Sequence, residues 1–348
     1  MKKKKKEKKI LYQLIFSAFL LFSNAYLVKA NSDILSQDST GKYCINTEQD
    51  YYNFIENIQN YNNKTVILCN DIDISDVPEA TSSFGGILNG KGHTITYASK
   101  EAKENIAVFP FRINDNGIVE NINVQIDESY AYNSETDEFQ TVFSQCDGIA
   151  KGITIKGNVT CIYDDEDENV SIGAIEGNGT LMDSSIAITY DLQSEKTIEE
   201  IAEDIVENDL GFEFCQLGTI NTGITYQNCI GYGQYSEAIK SLADELEPKI
   251  EDNTWGYLCV SFTRKSFFST SASATNCYYD KENMPDIKIM SEYITNRDNN
   301  KEFPNYADFG KTTSETRELM KGLTLIKNGL FPQKIIMAIH IIIHKPKK

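Results

Sequence analysis

Gly117-Ile118-Val119-Glu120-Asn121-Ile122-Asn123-Val124 is followed by Gly148-Ile149-Ala150-Lys151-Gly152-Ile153-Thr154-Ile155 and, more loosely, by Gly179-Thr180-Leu181-Met182-Asp183-Ser184-Ser185-Ile186. The three leading glycines are spaced 31 residues apart. A period of this length marks stacked supersecondary units, and apolar residues alternating with polar ones make each unit a strand rather than a helix pair. The expected architecture is therefore all-β: a right-handed parallel β-helix, a solenoid of roughly seven coils about 4.8 Å apart, on the order of 30 Å long.

Working outward, Thr65–Leu68 and Asp71–Ile74 read as strands, and Phe84 to Tyr97 reads as a strand, an Asn-Gly turn and a second strand. Upstream, Thr47-Glu48-Gln49-Asp50 opens a helix with a capping-box pattern in which Asp stands where Glu or Gln is usual. Tyr51, Phe54, Ile55 and Ile58 share one face of that helix, so a cap near Tyr51–Gln59 would cover the open end of the stack. Downstream, the phrase is restored at Gly218-Thr219-Ile220-Asn221-Thr222-Gly223-Ile224-Thr225-Tyr226, 39 residues after Gly179, with Ala274–Tyr279 as the last coil. Two helical inserts lengthen this half, near 197–208 and 236–247, and are expected to hang off the stack.

The first thirty residues have a different composition. A lysine-rich start, an apolar core from Ile10 to Phe22 and an ending Val28-Lys29-Ala30 form the order of a secretory signal peptide (1–30), cleaved after Ala30, with Ala25 as the second choice. A membrane anchor is the competing reading, but Asn24 and Lys29 interrupt the run before the ~20 apolar residues a span needs. Removing this segment takes away eight lysines and one glutamate, so the formal charge of −18 becomes −25. That surface repels phosphates and anionic headgroups, which argues against nucleic acid as a partner. The expected domains are the signal, a polar linker 31–42, a β-helix domain 43–323 and a basic, apolar tail 324–348. The tail is either a wall- or membrane-contacting segment or a degenerate ending.

The residues also carry a resemblance. Phe84–Ile95, Leu68–Ile74, Asn276-Cys277-Tyr278-Tyr279-Asp280, Gly310-Lys311-Thr312-Thr313 and Leu319-Met320 resemble bacterial surface and secreted proteins with GLUG-type repeats, which are similar to pectin-lyase-like right-handed β-helices. The resemblance covers about Tyr43 to Leu323. It implies an extracellular, secreted or cell-surface location and an adhesin-like role.

The search for chemistry is thin. His93 sits in a glycine turn, while His340 and His344 belong to the tail, so no histidine triad or two-histidine metal site assembles. The acidic run Asp164–Glu168 reads either as a calcium loop or as a solvated turn, and it lacks the ordering of a defined calcium site. Asp71 and Asp73 share a strand face, with a structural role expected. Arginines are few (Arg112, Arg264, Arg297, Arg317), and cleavage would need acids and an arginine from neighbouring coils to converge. All eight cysteines follow the signal and form no C-x-x-C pair, which leaves disulfides or inward-facing thiols. Tyrosine pairs such as Tyr51-Tyr52 and Tyr278-Tyr279 could present an outer row for sugars or protein. No catalytic, metal or cofactor residue is identified. The expectation is a non-enzymatic adhesion or partner-binding module whose partner is a surface polysaccharide or a host or cell-surface protein. The alternative is a carbohydrate-active enzyme, a lyase or glycoside hydrolase, on the same scaffold.

Overall fold

The computed structural model describes residues 35–75, 77–78, 80, 82–98, 107–131, 140–163, 169–216, 223–251, 254–261, 273–280, 282–283, 287–289, 310–311, 314–315 and 319. The signal segment with Ala30, the acidic run 164–168, the tail 324–348 with its two histidines, and Arg264, Arg297 and Arg317 lie outside the described residues.

The chain is built mostly of parallel β-sheets. The first sheet stacks Tyr43–Ile45, Thr65–Leu68, Ile87–Asn89, Ile118–Glu120, Ile149–Lys151, Thr180–Met182, Thr225–Gln227 and Ser273–Thr275. The second stacks Ile72–Ile74, Thr94–Tyr97, Asn123–Ala131, Thr154–Ile162, Ser185–Gln193, Ile230–Gly231, Tyr278–Asp280 and Gly310–Lys311, with Gln234–Tyr235 alongside. The third stacks Phe109–Ile113, Gln140–Cys146, Val170–Ile175, Gly211–Cys215, Tyr257–Ser261 and Ile287–Ile289. From Ile87 onward the chain visits the first, second and third sheets in turn and then repeats. The last third-sheet pairing, between Tyr257–Ser261 and Ile287–Ile289, is antiparallel.

Register explains the 31-residue phrase. Ile118, Ile149 and Thr180 are direct neighbours, so the preceding glycines stack at one corner. A Cβ on Gly148 would lie 2.3 Å from the Gly117 carbonyl oxygen, and one on Gly179 2.2 Å from that of Gly148. The corner between the first and second sheets is stacked too: Asn121, Gly152, Asp183, Asn228 and Asn276 all have positive φ, from 50° to 62°. Asn and Asp tolerate this left-handed geometry, and each corner N–H donates to the next coil, as from Asn121 to Lys151 O and from Asp183 to Gln227 O, both at 2.9 Å. Behind the corner, Ile122, Ile153, Ser184, Cys229 and Cys277 lie buried in a column.

This register corrects one expectation. Of the stretch 218–226, residues 218–222 lie outside the described residues, while Thr225 pairs with Thr180 and Tyr226 with Leu181, so Ile224 stands opposite Gly179. The phase is set by Asn228 at the left-handed corner and by Tyr226 beside buried Leu181. The Asn-Gly turn is also more than a local turn: Ile87–Asn89 and Thr94–Tyr97 belong to different sheets, because each finds partners in neighbouring coils.

The core is one large cluster, with a small second one at Ile230 and Leu319. Helix α1, Glu48–Glu56, is followed by a 3-10 turn, Ile58–Tyr61, and its capping box is formed between Thr47 and Asp50. Phe54 packs edge-on against Phe84 and Phe111, closing one end of the core. Helices α2, Ile198–Glu207, and α3, Glu237–Leu246, match the expected inserts. They do not hang free: Ile201, Ile205, Ile239, Leu242 and Leu246 are buried in the same cluster, because an apolar helical stripe must find cover. Both helices lie between second-sheet and third-sheet strands of successive passes. No described helix is long and apolar enough to cross a membrane.

Both readings of the cysteines are realised. Cys44 and Cys69 form a disulfide, and the other six are buried thiols. Burial first, then the charge of Asp147, pushes the Cys146 thiol up to about 12. Above the ordinary value of 9.0 the unfolded thiol releases its proton while the folded one keeps it, so this contribution to stability is lost between pH 9 and about 12. A thiol reagent should find no fast-reacting group in the native chain, six after unfolding and eight after reduction, counted by absorbance.

Gly157 tests the stack itself. Its φ is +138°, and a Cβ there would lie 1.6 Å from the Ile126 carbonyl oxygen in the coil below. Gly157→Ala should lower unfolding free energy by about 2–4 kcal/mol in denaturant titrations, since neither backbone has room to move.

Candidate functional site

The residues singled out in the sequence are mostly occupied in holding coils together. Asp71 Oδ1 accepts from the Thr94 N–H at 2.8 Å and contacts His93 Nδ1 at 3.1 Å, tying one coil to the next. The Thr94 N–H first, then His93, holds the Asp71 carboxyl below its ordinary range. Asp73 is exposed on the neighbouring strand.

An arginine and an acid from adjacent coils do meet. Arg112 Nε lies 2.6 Å from Asp147 Oδ2, which also accepts from Gln145 Nε2 at 3.3 Å. Asp147 Oδ1 accepts from the Asn178 backbone N–H at 3.2 Å and from its Nδ2 at 3.4 Å. This carboxylate, at the corner between the third and first sheets, links three successive coils. Among the described residues no three His, Cys, Asp or Glu side chains gather as a metal-ligand set.

The tyrosines serve chiefly as core. Tyr51, Tyr61, Tyr163, Tyr190 and Tyr226 are fully buried. The Tyr51 hydroxyl donates to Val108 O at 2.6 Å and that of Tyr190 to Cys215 O at 2.7 Å, and burial raises both phenols. Tyr52 lies on α1 and donates to Glu48 Oε1 at 2.6 Å. Of the Tyr278-Tyr279 pair, Tyr279 is buried, and Tyr278 packs with Tyr232 against Ile230 and Leu319. Of the two pairs, Tyr51 and Tyr279 are thus core residues, while Tyr52 and Tyr278 are half-buried.

What the structure presents instead is the tryptophan, the one such residue in the chain. Trp255 precedes the third-sheet strand Tyr257–Ser261 and is 45 % exposed, the one exposed large hydrophobic among the described residues. Exposure alternates here: Thr254 and Gly256 are buried, while Trp255 and half-buried Tyr257 project from the other face. The Trp255 N–H donates to Asp209 Oδ1 at 3.0 Å in the adjacent coil. The segment is pinned from both sides. Glu251 N–H donates to Thr254 Oγ1 at 3.1 Å, and Thr254 N–H returns to Glu251 O at 3.0 Å. On the other side, Gly256 sits so close to helix α2 that a Cβ would lie 2.0 Å from Ile205 O.

Tyr257 lies across Gly211, where a Cβ would meet its ring at 2.5 Å, and its hydroxyl donates to buried Glu213 Oε1 at 2.7 Å. Asn169 Oδ1 accepts from the Gly211 N–H at 2.6 Å. Trp255, Tyr257, Asp209 and Asn169 thus occupy one edge of the third sheet, across three coils. Sequence reasoning passed over Trp255 because it is not periodic. Its available signal was the Thr254-Trp255-Gly256-Tyr257 alternation leading into an apolar strand.

No protein-family model, no curated protein and no solved structure matches the chain. The GLUG-type resemblance therefore rests on the quoted residues alone.

Tyr257→Phe should cost about 1–3 kcal/mol in denaturant titrations, since it removes a donor from a buried carboxyl group.

Proposed function

We propose that the protein is a secreted or cell-surface right-handed parallel β-helix of the GLUG-repeat kind, acting as a non-enzymatic adhesion or partner-binding module. The right-handed sense follows the steric preference of crossovers between parallel strands. The observation that carries the binding role is the edge at Trp255: the one exposed large hydrophobic among the described residues, on fixed backbone, with half-buried Tyr257 two residues on. A rigid aromatic edge favours association because little freedom remains to be lost on contact.

The alternative, a polysaccharide lyase or glycoside hydrolase, draws on the meeting of Arg112 with Asp147. Glycosidic hydrolysis needs a second carboxyl group about 5–9.5 Å away. Asp147 also has both oxygens engaged by neighbours, which suits a structural link better than proton transfer.

The mature protein should be retained on an immobilised surface polysaccharide or cell-surface protein and release no new reducing ends or unsaturated products. Retention and product formation are scored separately. Turnover would establish the enzyme, and absence of retention on every surface would remove the binding role.

A further inference from the structure

Resting on the partner-binding reading, we infer that the edge formed by Trp255, Tyr257, Asp209 and Asn169 is a binding site for a neutral carbohydrate chain. An outward indole costs hydrophobic free energy that burial would recover, yet the chain holds it there with a reciprocal Glu251–Thr254 turn, a side-chain acceptor from the next coil and a glycine wedged on a helix. Such fixing removes the entropy that a loose aromatic would lose on binding. Tyr257 follows two residues later on the alternation, which places the two Cα atoms roughly 6.6 Å apart along the chain. Its orientation is set by Gly211 beneath and Glu213 at its hydroxyl.

The groups beside the rings identify the ligand class. Asp209 and Asn169 are exposed, and each commits Oδ1 to a backbone N–H. Asp209 Oδ2 and Asn169 Nδ2 make no hydrogen bond among the described residues. One acceptor and one donor therefore stand next to flat apolar rings. A pyranose has the matching form, with an apolar C–H face for the rings and hydroxyls for the polar groups. A protein partner would need about 800 Å² of complementary surface per side, far more than two rings supply. The charge narrows the choice further. Asp209 accepts from the Trp255 backbone and exposed Glu251 lies four residues before it, on a chain of formal charge −18, so uronate-bearing polymers are repelled and neutral sugars are not.

The lone tryptophan makes its own emission the probe. Titrating the mature protein with neutral gluco-, manno-, galacto- and chito-oligosaccharides should give a saturable change in Trp255 emission with at least one of them, and none with polygalacturonate. Trp255→Ala should weaken retention on the matching immobilised polymer at least tenfold with an unchanged melting curve, and Trp255→Phe should restore part of it. Retention with unchanged emission, or undiminished in Trp255→Ala, places the ligand elsewhere and overturns this site while the partner-binding role stands. Binding to a surface protein but to no neutral sugar does the same. Absence of binding to any surface overturns both.

Discussion

Each coil takes its main-chain hydrogen bonds from the coils above and below, at a vertical repeat near 4.8 Å, and at two corners that repeat leaves no room for an ordinary residue. At the corner entering the first sheet, Gly117, Gly148 and Gly179 lie with backbone against backbone, closer than any Cβ allows. At the corner leaving it, Asn121, Gly152, Asp183, Asn228 and Asn276 turn the chain through left-handed geometry. The side chains there reinforce the stack, with Asn228 Nδ2 donating to Asp183 Oδ1 at 2.8 Å and Asn276 Nδ2 to Asn228 Oδ1 at 3.2 Å. Once these corners are fixed, everything between them falls into register.

The third corner is under no such constraint. Between second-sheet and third-sheet strands the connection holds α2 in one pass and α3 in the next, while the corner leaving the first sheet stays short. Length variation is tolerated where ladder hydrogen bonds do not have to be kept, and such segments are where a rigid scaffold carries function. Trp255 emerges from this same corner, at the end of the connection that contains α3. The two helices support it indirectly: α2 supplies the carbonyl against which Gly256 is wedged, and α3 extends the core beneath.

How much of this was legible in the sequence depends on whether the cause was periodic. The glycine phrase, the capping box at Thr47 and the helical stripes follow local spacing, so the sequence exposes them. The fourth copy, read from Gly218 to Tyr226, came out in part: its end, Thr225-Tyr226, is strand, but counting from Gly218 misses the phase, because the determinant, Asn228 at the left-handed corner, lies downstream of it. The Asn89-Gly90 turn looked local because two strands flank it, yet their partners are 22 to 31 residues away, as in Thr65 with Ile87 and Ile87 with Ile118. Trp255 was illegible for the opposite reason: a single outward residue has no period, and its exposure depends on Ile205 and Asp209, which only folding brings near.

The cysteines follow from position along the stack. An inner coil is buttressed on both sides, so a thiol pointing inward there behaves as a small apolar group: Cys229 and Cys277 occupy the column begun by Ile122 and Ile153, and burial pushes the Cys229 thiol well up. The strand Tyr43–Ile45 stands at the end of the first sheet with one strand neighbour, its other side meeting only the Gln37 bridge and the Ser36 carbonyl. That side has no full strand, and a covalent link to the next coil supplies part of what one would. Cys44–Cys69 closes a separation of 25 residues, for which chain entropy alone gives about 3–4 kcal/mol. The disulfide therefore sits where fraying would begin, beneath the same helix whose Phe54 closes the core. A cross-link between inner coils would add less, because those strands cannot separate without breaking ladders on both sides.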